Sequence, residues 1–193
     1  MRINFFGGPG SGKSTTTAWI FAMLKDRKVS VEHVSEYVKA WAYQKRNIQK
    51  HDQLYLFAKQ QQYEYRYLSQ GVLNIVTDSP CFLSVIYSAK YISEEYADAI
   101  MALCRLYDRD NPSLNIFLSR GEKPYITEGR YQTLEQAKEL DAAILAGLQK
   151  HYPENFHVVD YKNREKILEL VLSHVEGDYE RRPFEPLKHE QTK

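Results

Sequence analysis

Short apolar runs alternate along the chain with longer stretches in which apolar residues recur every three or four positions. Residues 3–6, 31–34, 72–77, 114–118 and 156–159 form the short runs, dominated by Val, Ile, Leu and Phe. Runs of that length and composition read as strands, and a strand with few polar positions is one covered on both faces. Between them, residues 13–25, 37–46, 52–69, 81–90, 93–107, 134–150 and 165–175 carry the spacing of helices. Leu54, Phe57, Ala58 and Gln61 set the register of the third of these, and Gly71 stops it. Thr133 followed by Gln136 fits a capping box at the start of the sixth.

Strands that alternate with helices predict an α/β fold with a parallel sheet and helices on both faces. Ligands of such sheets gather at the carboxyl ends of the strands. Gly7, Glu36, Asp78 and Ser119 each follow a predicted strand, so their four ends are expected to open onto one crevice. A chain of 193 residues with no internal repeat and no linker fits one domain, expected over 1–176, with a charged, proline-bearing tail over 177–193.

Directly behind the first strand stands GGPGSGKST, residues 7–15. Residues 7–14 match G-x-x-x-x-G-K-[ST], the phosphate-binding P-loop, in the strand–turn–helix context that gives the motif its meaning. Glycines let the backbone curl its N–H groups around an anion, and the following helix adds the positive end of its dipole. Gly8, Gly10, Ser11, Gly12, Lys13, Ser14 and Thr15 are therefore the expected nucleotide cradle, with ATP as the ligand. Lys13 is expected at the β- and γ-phosphates, and the Ser14 hydroxyl on Mg²⁺.

Two acids extend this site. Asp78 closes an apolar strand ahead of Ser79-Pro80 and is expected to hold Mg²⁺, directly or through water. Glu36 ends the second strand, where a carboxylate would orient an acceptor hydroxyl and take its proton; an N-terminal helix carboxylate is the alternative reading. After the fourth strand comes SRGEKPYITEGRYQT, residues 119–133, a polar segment bearing Arg120, Lys123 and Arg130. Three cations beside the crevice read as a lid that excludes water and stabilises a transferring phosphoryl group.

Composition narrows the partners. With 26 Lys and Arg against 25 Asp and Glu, no global basic field points to nucleic acid, although a local groove from Lys39, Lys45, Arg46 and Lys50 is available. No apolar run approaches the length of a membrane span, and an intracellular protein is expected. Cys81 and Cys104 are too few for a disulfide scaffold or a zinc cluster and read as buried thiols. His33, His51 and His157 show no metal spacing. Tyrosine is abundant, 15 residues against 8 Phe, and several lie on predicted helices, either as stacking faces for bases or as amphipathic surface.

Taken together, the P-loop, Ser35-Glu36-Tyr37, Asp52-Gln53, Thr77-Asp78-Ser79-Pro80 and Lys123-Pro124-Tyr125 with Gly129-Arg130 resemble the small P-loop kinases of phages. These AAA-type proteins are similar to the ribosylnicotinamide kinase domain and, more distantly, to nucleoside and nucleoside-monophosphate kinases. The resemblance covers residues 2–175. It implies a three-layer P-loop NTPase and nucleoside/nucleotide kinase fold, with Glu36 on the acceptor side, Asp78 at magnesium or the acceptor, and Arg130 in the lid. Some members phosphorylate 5-hydroxymethyluracil within DNA, so the resemblance also implies DNA as a partner and, for a phage protein, the host cytoplasm. The chain departs from thymidylate kinases at Asp78-Ser79-Pro80, where they carry an Asp-Arg pair whose arginine would grip an acceptor phosphate. The reading at this point is ATP-dependent phosphorylation of a nucleoside-type hydroxyl, with 5-hydroxymethyluracil in DNA as the sharpest candidate. A free nucleoside or monophosphate kinase, and an ATPase or switch that transfers nothing, remain the alternatives.

Overall fold

The computed structural model describes residues 1–121, 125, 126, 128, 130–175 and 177. Lys123, Pro124 and Gly129 of the expected lid lie outside the described residues, as does the expected tail from 178 onward. Along the chain the elements are β1 (Arg2–Phe6), α1 (Lys13–Asp26), β2 (Val31–Val34), α2 (Lys39–Tyr43), α3 (Asp52–Leu68) and β3 (Asn74–Thr77). They continue with α4 (Leu83–Tyr91), α5 (Glu94–Asp110), β4 (Ser113–Ser119), α6 (Leu134–His151), β5 (His157–Asp160) and α7 (Arg164–Leu172).

The strands form one five-stranded sheet in the order β2-β3-β1-β4-β5, parallel at every pairing. Side chains alternate across it. Ile3, Phe5, Leu114, Ile116 and Leu118 face a core shared with Ile20 and Leu24 of α1 and Ile167 and Val171 of α7. Phe6 and Phe117 face the other core, with Phe82, Ile86 of α4, Ile100 of α5 and Leu140 and Ile144 of α6. Helices on both faces give the three layers that the sequence predicts. Removing one of these large side chains, as in Phe5→Ala, should cost about 3–5 kcal/mol.

Two boundaries differ from expectation for local reasons. The third strand starts at Asn74 and not at Val72, because Gly71 turns the chain at φ +83° and Leu73 stays 42% exposed outside the ladder. The helix expected over 37–46 is shortened to α2. Tyr37 gives its N–H to Gln60 Oε1 at 3.4 Å, and Lys45 takes a left-handed φ of 52°.

At the amino end of β1 a buried ionic cluster joins the sheet to its helices. The Arg2 guanidinium meets Glu64 of α3 at 3.5 Å and Asp108 of α5, gives Nε to Asn111 O at 2.8 Å, and lies 4.4 Å from the Tyr107 ring centre. Burial pushes the Glu64 carboxyl up while Arg2 draws it back down. Cys81, which gives its thiol proton to Glu64 Oε1 at 3.4 Å, and Cys104 are both buried and free, as expected. Among the described residues no helix is long and apolar enough to cross a membrane.

Candidate active site

The loop between β1 and α1 has the shape its glycines permit. Gly12 caps α1 at φ 104°, a conformation that L side chains rarely adopt. Gly8 is needed for a close approach: a Cβ there would lie 2.5 Å from Ala137 O on α6. Lys13 Nζ curls over the loop and donates to Gly7 O at 2.6 Å and Gly8 O at 3.1 Å. Burial pushes its ammonium down from the ordinary lysine value, against the pull of Glu36, Asp78 and Asp141. Ser14 and Thr15 are exposed at the cleft floor, whereas Ser11 is buried beneath it.

One carboxylate joins three strand ends. Ser14 Oγ donates to Asp78 Oδ2 at 2.6 Å, and the Glu36 N–H donates to Asp78 Oδ1 at 3.2 Å. The order β2-β3-β1 makes this possible, because Glu36 follows β2, Asp78 follows β3 and the P-loop follows β1. The Glu36 carboxyl is held above the usual glutamate value by burial, with Lys13 opposing and Asp78 reinforcing the shift.

The fourth strand end departs from the expected shared crevice. β4 lies on the far side of β1 from β3, so Ser119 turns toward β5 and bonds Val159 O at 3.5 Å. Arg120 is drawn under the P-loop, where Nε donates to Asp141 Oδ2 at 2.7 Å and Nη2 donates to Pro9 O at 2.8 Å. Asp141 is a residue that sequence reasoning missed. Its other oxygen, Oδ1, accepts the Gly8 N–H at 2.5 Å, so it fastens α6 to the P-loop. Only its place on the inner face of α6, next to the buried Ala137 and Leu140, hints at such a contact.

Arg130, from the segment expected as a lid, lines the cleft, its guanidinium 4.9 Å from the Tyr125 ring centre and bonded to Ile126 O. Both Arg130 and Tyr125 rest on Gly10, where a Cβ would meet each at 2.9 Å. Tyr131 reaches across to the opposite rim and gives its hydroxyl proton to Arg46 O at 2.7 Å. That rim is aromatic. Tyr37 packs edge-on against Trp41, Tyr55 and Tyr63, Trp41 stacks on Tyr55, and the Arg46 guanidinium covers Trp41 at 3.4 Å. Across the cleft, Tyr87 and Tyr91 of α4 stack with ring centres 6.0 Å apart. The cleft so enclosed has a volume of about 900 Å³ and brings together Lys13, Glu36, Tyr37, Gln53, Tyr87 and Arg130. Of the tyrosine-rich helix α3, Tyr55 and Tyr63 back this wall, while Tyr65 stays 54% exposed. His33 lies against Thr17 of α1 at 3.3 Å, and among the described residues no cluster of His, Cys, Asp and Glu could hold a metal.

A family model described as an AAA domain matches residues 2–165 of this chain. The chain belongs to that family. No curated protein is similar enough in sequence to match it. Among solved structures, it is similar to a NadR protein in complex with NR, at 13% identity and a TM-score of 0.72. It is also similar to a NadR protein in complex with NAD and AMP-PNP, at 14% identity and a TM-score of 0.63. Each likeness covers 95% of this chain and 54% or 51% of the NadR chain, so this chain spans about half the length of those proteins. At such identities the likeness establishes the fold alone: a P-loop domain with a five-stranded parallel sheet.

Proposed function

We propose that this AAA-family domain is an ATP-dependent kinase that transfers the γ-phosphoryl group to a hydroxyl of a nucleoside-type acceptor. The observation that carries the reading is the contact chain Ser14–Asp78–Glu36. It sets the phosphate cradle and the half-buried Glu36 side by side at the floor of a cleft with aromatic walls. A carboxylate beside Lys13 would serve an ATPase equally well by activating water, but an ATPase that transfers nothing has no need of an aromatic chamber in front of it.

In this reading the P-loop amides from Gly8 to Thr15 and the α1 N-terminus hold the phosphates, with Lys13 exchanging its loop carbonyls for phosphate oxygens. The donor set suits Mg²⁺, a hard cation that takes oxygen ligands. Ser14 gives its proton to Asp78, which leaves the hydroxyl lone pairs free for the ion; Mg²⁺ would neutralise charge on the phosphates. Glu36 accepts the acceptor's O–H proton as that oxygen bonds to the γ-phosphorus, and the bond from phosphorus to the ADP oxygen breaks. Its affinity for a proton, raised by burial, makes it a stronger base than an ordinary glutamate. Arg130 approaches from the lid, and Arg120 holds the outer turn of the loop through Pro9.

For the acceptor, the aromatic walls favour a planar base. The candidate that the family resemblance implies is 5-hydroxymethyluracil in DNA, with Lys39, Lys50 and Arg46 at the rim available for a strand. A free nucleoside is the second reading, supported by the NadR structure that holds NR. The test is γ-labelled ATP with Mg²⁺ offered alongside free nucleosides, nucleoside monophosphates, plain DNA and hydroxymethyluracil DNA. Label in hydroxymethyluracil DNA alone supports the DNA acceptor, and label confined to free nucleosides, with no salt dependence, supports the small-molecule enzyme.

A further inference from the structure

Two glutamines on the cleft face of α3 are used differently. Gln60 is 4% exposed and its amide is occupied at both ends, accepting from Tyr37 N–H at 3.4 Å and donating to Thr77 Oγ1 at 3.3 Å. Gln53 sits two helical turns earlier on the same buried stripe, is 8% exposed, and lines the same cleft. Its side-chain amide makes no hydrogen bond among the described residues and is open to the cleft, not sealed from solvent. An amide open to a cleft can be paired by water, and a ligand that displaces the water must take over its hydrogen bonds. The structure gives Gln53 no internal task, in contrast to Gln60, which holds Tyr37 and the end of β3.

Its surroundings indicate the missing partner. Tyr37 stands on one wall, fixed by Trp41, Tyr55 and Tyr63 behind it, and Tyr87 and Tyr91 stand on the α4 side. Flat apolar faces with one amide between them suit a planar heterocycle that stacks and presents a polar edge. A glutamine amide offers an acceptor beside a donor. It complements an edge carrying a donor beside an acceptor, such as the N–H and C=O of a uracil-type imide. A guanine-type ring can also satisfy an amide, through its N1–H and O6, but its two adjacent donors would be taken together only by a carboxylate in the amide's place.

We propose that Gln53 is a specificity-determining residue that reads the base edge of the acceptor, pairing with a donor and an acceptor that stand side by side on the ring. The inference rests on the reading that the acceptor is nucleoside-type, but not on phosphoryl transfer.

Calorimetric titration of the full chain with AMP-PNP and Mg²⁺ tests it. The probes are 5-hydroxymethyl-2′-deoxyuridine and its N3-methyl derivative, each as the free nucleoside and within a short single strand. N3-methylation should weaken binding to the wild type about tenfold or more. The same methylation should change affinity less than about twofold in Gln53→Leu, since no amide remains to lose a partner. Gln53→Glu, which presents acceptors only, should gain for deoxyguanosine relative to the uracil-type probe. Equal binding of methylated and unmethylated probes to the wild type, an undiminished methylation penalty in Gln53→Leu, or no binding of either probe in either form would overturn the proposal. Discrimination in binding without phosphoryl transfer from ATP would leave Gln53 in its role and remove the kinase reading instead.

Discussion

Asp141 of α6 accepts the backbone N–H of Gly8 in a 2.5 Å hydrogen bond, tying a helix far along the chain to the second residue of the P-loop. The same carboxylate holds Arg120 at 2.7 Å, and both partners of that ion pair are largely covered. Bonds to an ionised group are short and about twice as strong as neutral ones. Asp141→Ala should therefore lower stability by roughly 1.5–3 kcal/mol and weaken ATP binding severalfold. Asp141→Asn, which can still accept from Gly8, should lose less. Urea unfolding and nucleotide titration measure the two effects, and wild-type values for both variants would show that the contact carries neither.

Among the described residues, Lys13 gives its hydrogen bonds to the loop carbonyls of Gly7 and Gly8. Its replacement by Ala should leave circular dichroism and the melting temperature near wild type while lowering phosphoryl transfer by roughly 10²–10³-fold or more. Retention of most of the turnover would remove Lys13 from the phosphate site.

Glu36→Gln separates chemistry from nucleotide binding. Turnover should fall by about 10²–10⁴-fold with ATP affinity little changed. The pH dependence has a definite sign. Burial raises the folded-state value above the usual 4.5, so between the two values the folded protein binds the extra proton. Wild-type stability without nucleotide is therefore fully present below the unfolded value and declines as pH rises through that window. Glu36→Gln should flatten this decline and melt at a higher temperature at neutral pH. Wild-type turnover should rise with pH as Glu36 ionises, and the variant should lack that limb. Unchanged turnover in the variant, with weakened ATP binding, would move Glu36 to the nucleotide.

Glu64 offers a control at the opposite pole of the sheet. It is fully buried, and its removal takes from Arg2, itself 1% exposed, one of its two carboxylate partners. Glu64→Ala should cost about 3–5 kcal/mol in urea unfolding, while the activity of the folded fraction stays near wild type. A selective loss of activity without a loss of stability would contradict a purely structural role.

The fold and the heart of the site were legible because their signals are local. Strand–glycine–Lys13 is contiguous, and Asp78 and Glu36 each follow an apolar run that ends at the same edge of a parallel sheet. The capping box of Thr133 and Gln136 formed as its spacing predicts. What the sequence could not show depends on packing between distant segments. Asp141 meets Gly8 across 133 positions, and only its place beside the buried Ala137 and Leu140 sets it apart from other acids on α6. Ser119 was expected in the crevice on a rule about strand ends. The order β3-β1-β4 puts it on the other side of the P-loop. Gln53 and Gln60 look alike in sequence and are distinguished only by which one Tyr37 and Thr77 occupy.

The most direct test of the central claim is the fate of the γ-phosphate. The full chain is incubated with γ-labelled ATP, Mg²⁺ and hydroxymethyluracil DNA or the free nucleoside. Wild type and Glu36→Gln are compared, and label in acceptor and in inorganic phosphate is counted separately. The account expects wild type to place the label on the acceptor hydroxyl, with little free phosphate, and Glu36→Gln to place almost none there. Label released only as inorganic phosphate, at a rate that no acceptor changes, would contradict it and leave a nucleotide hydrolase built on the same loop.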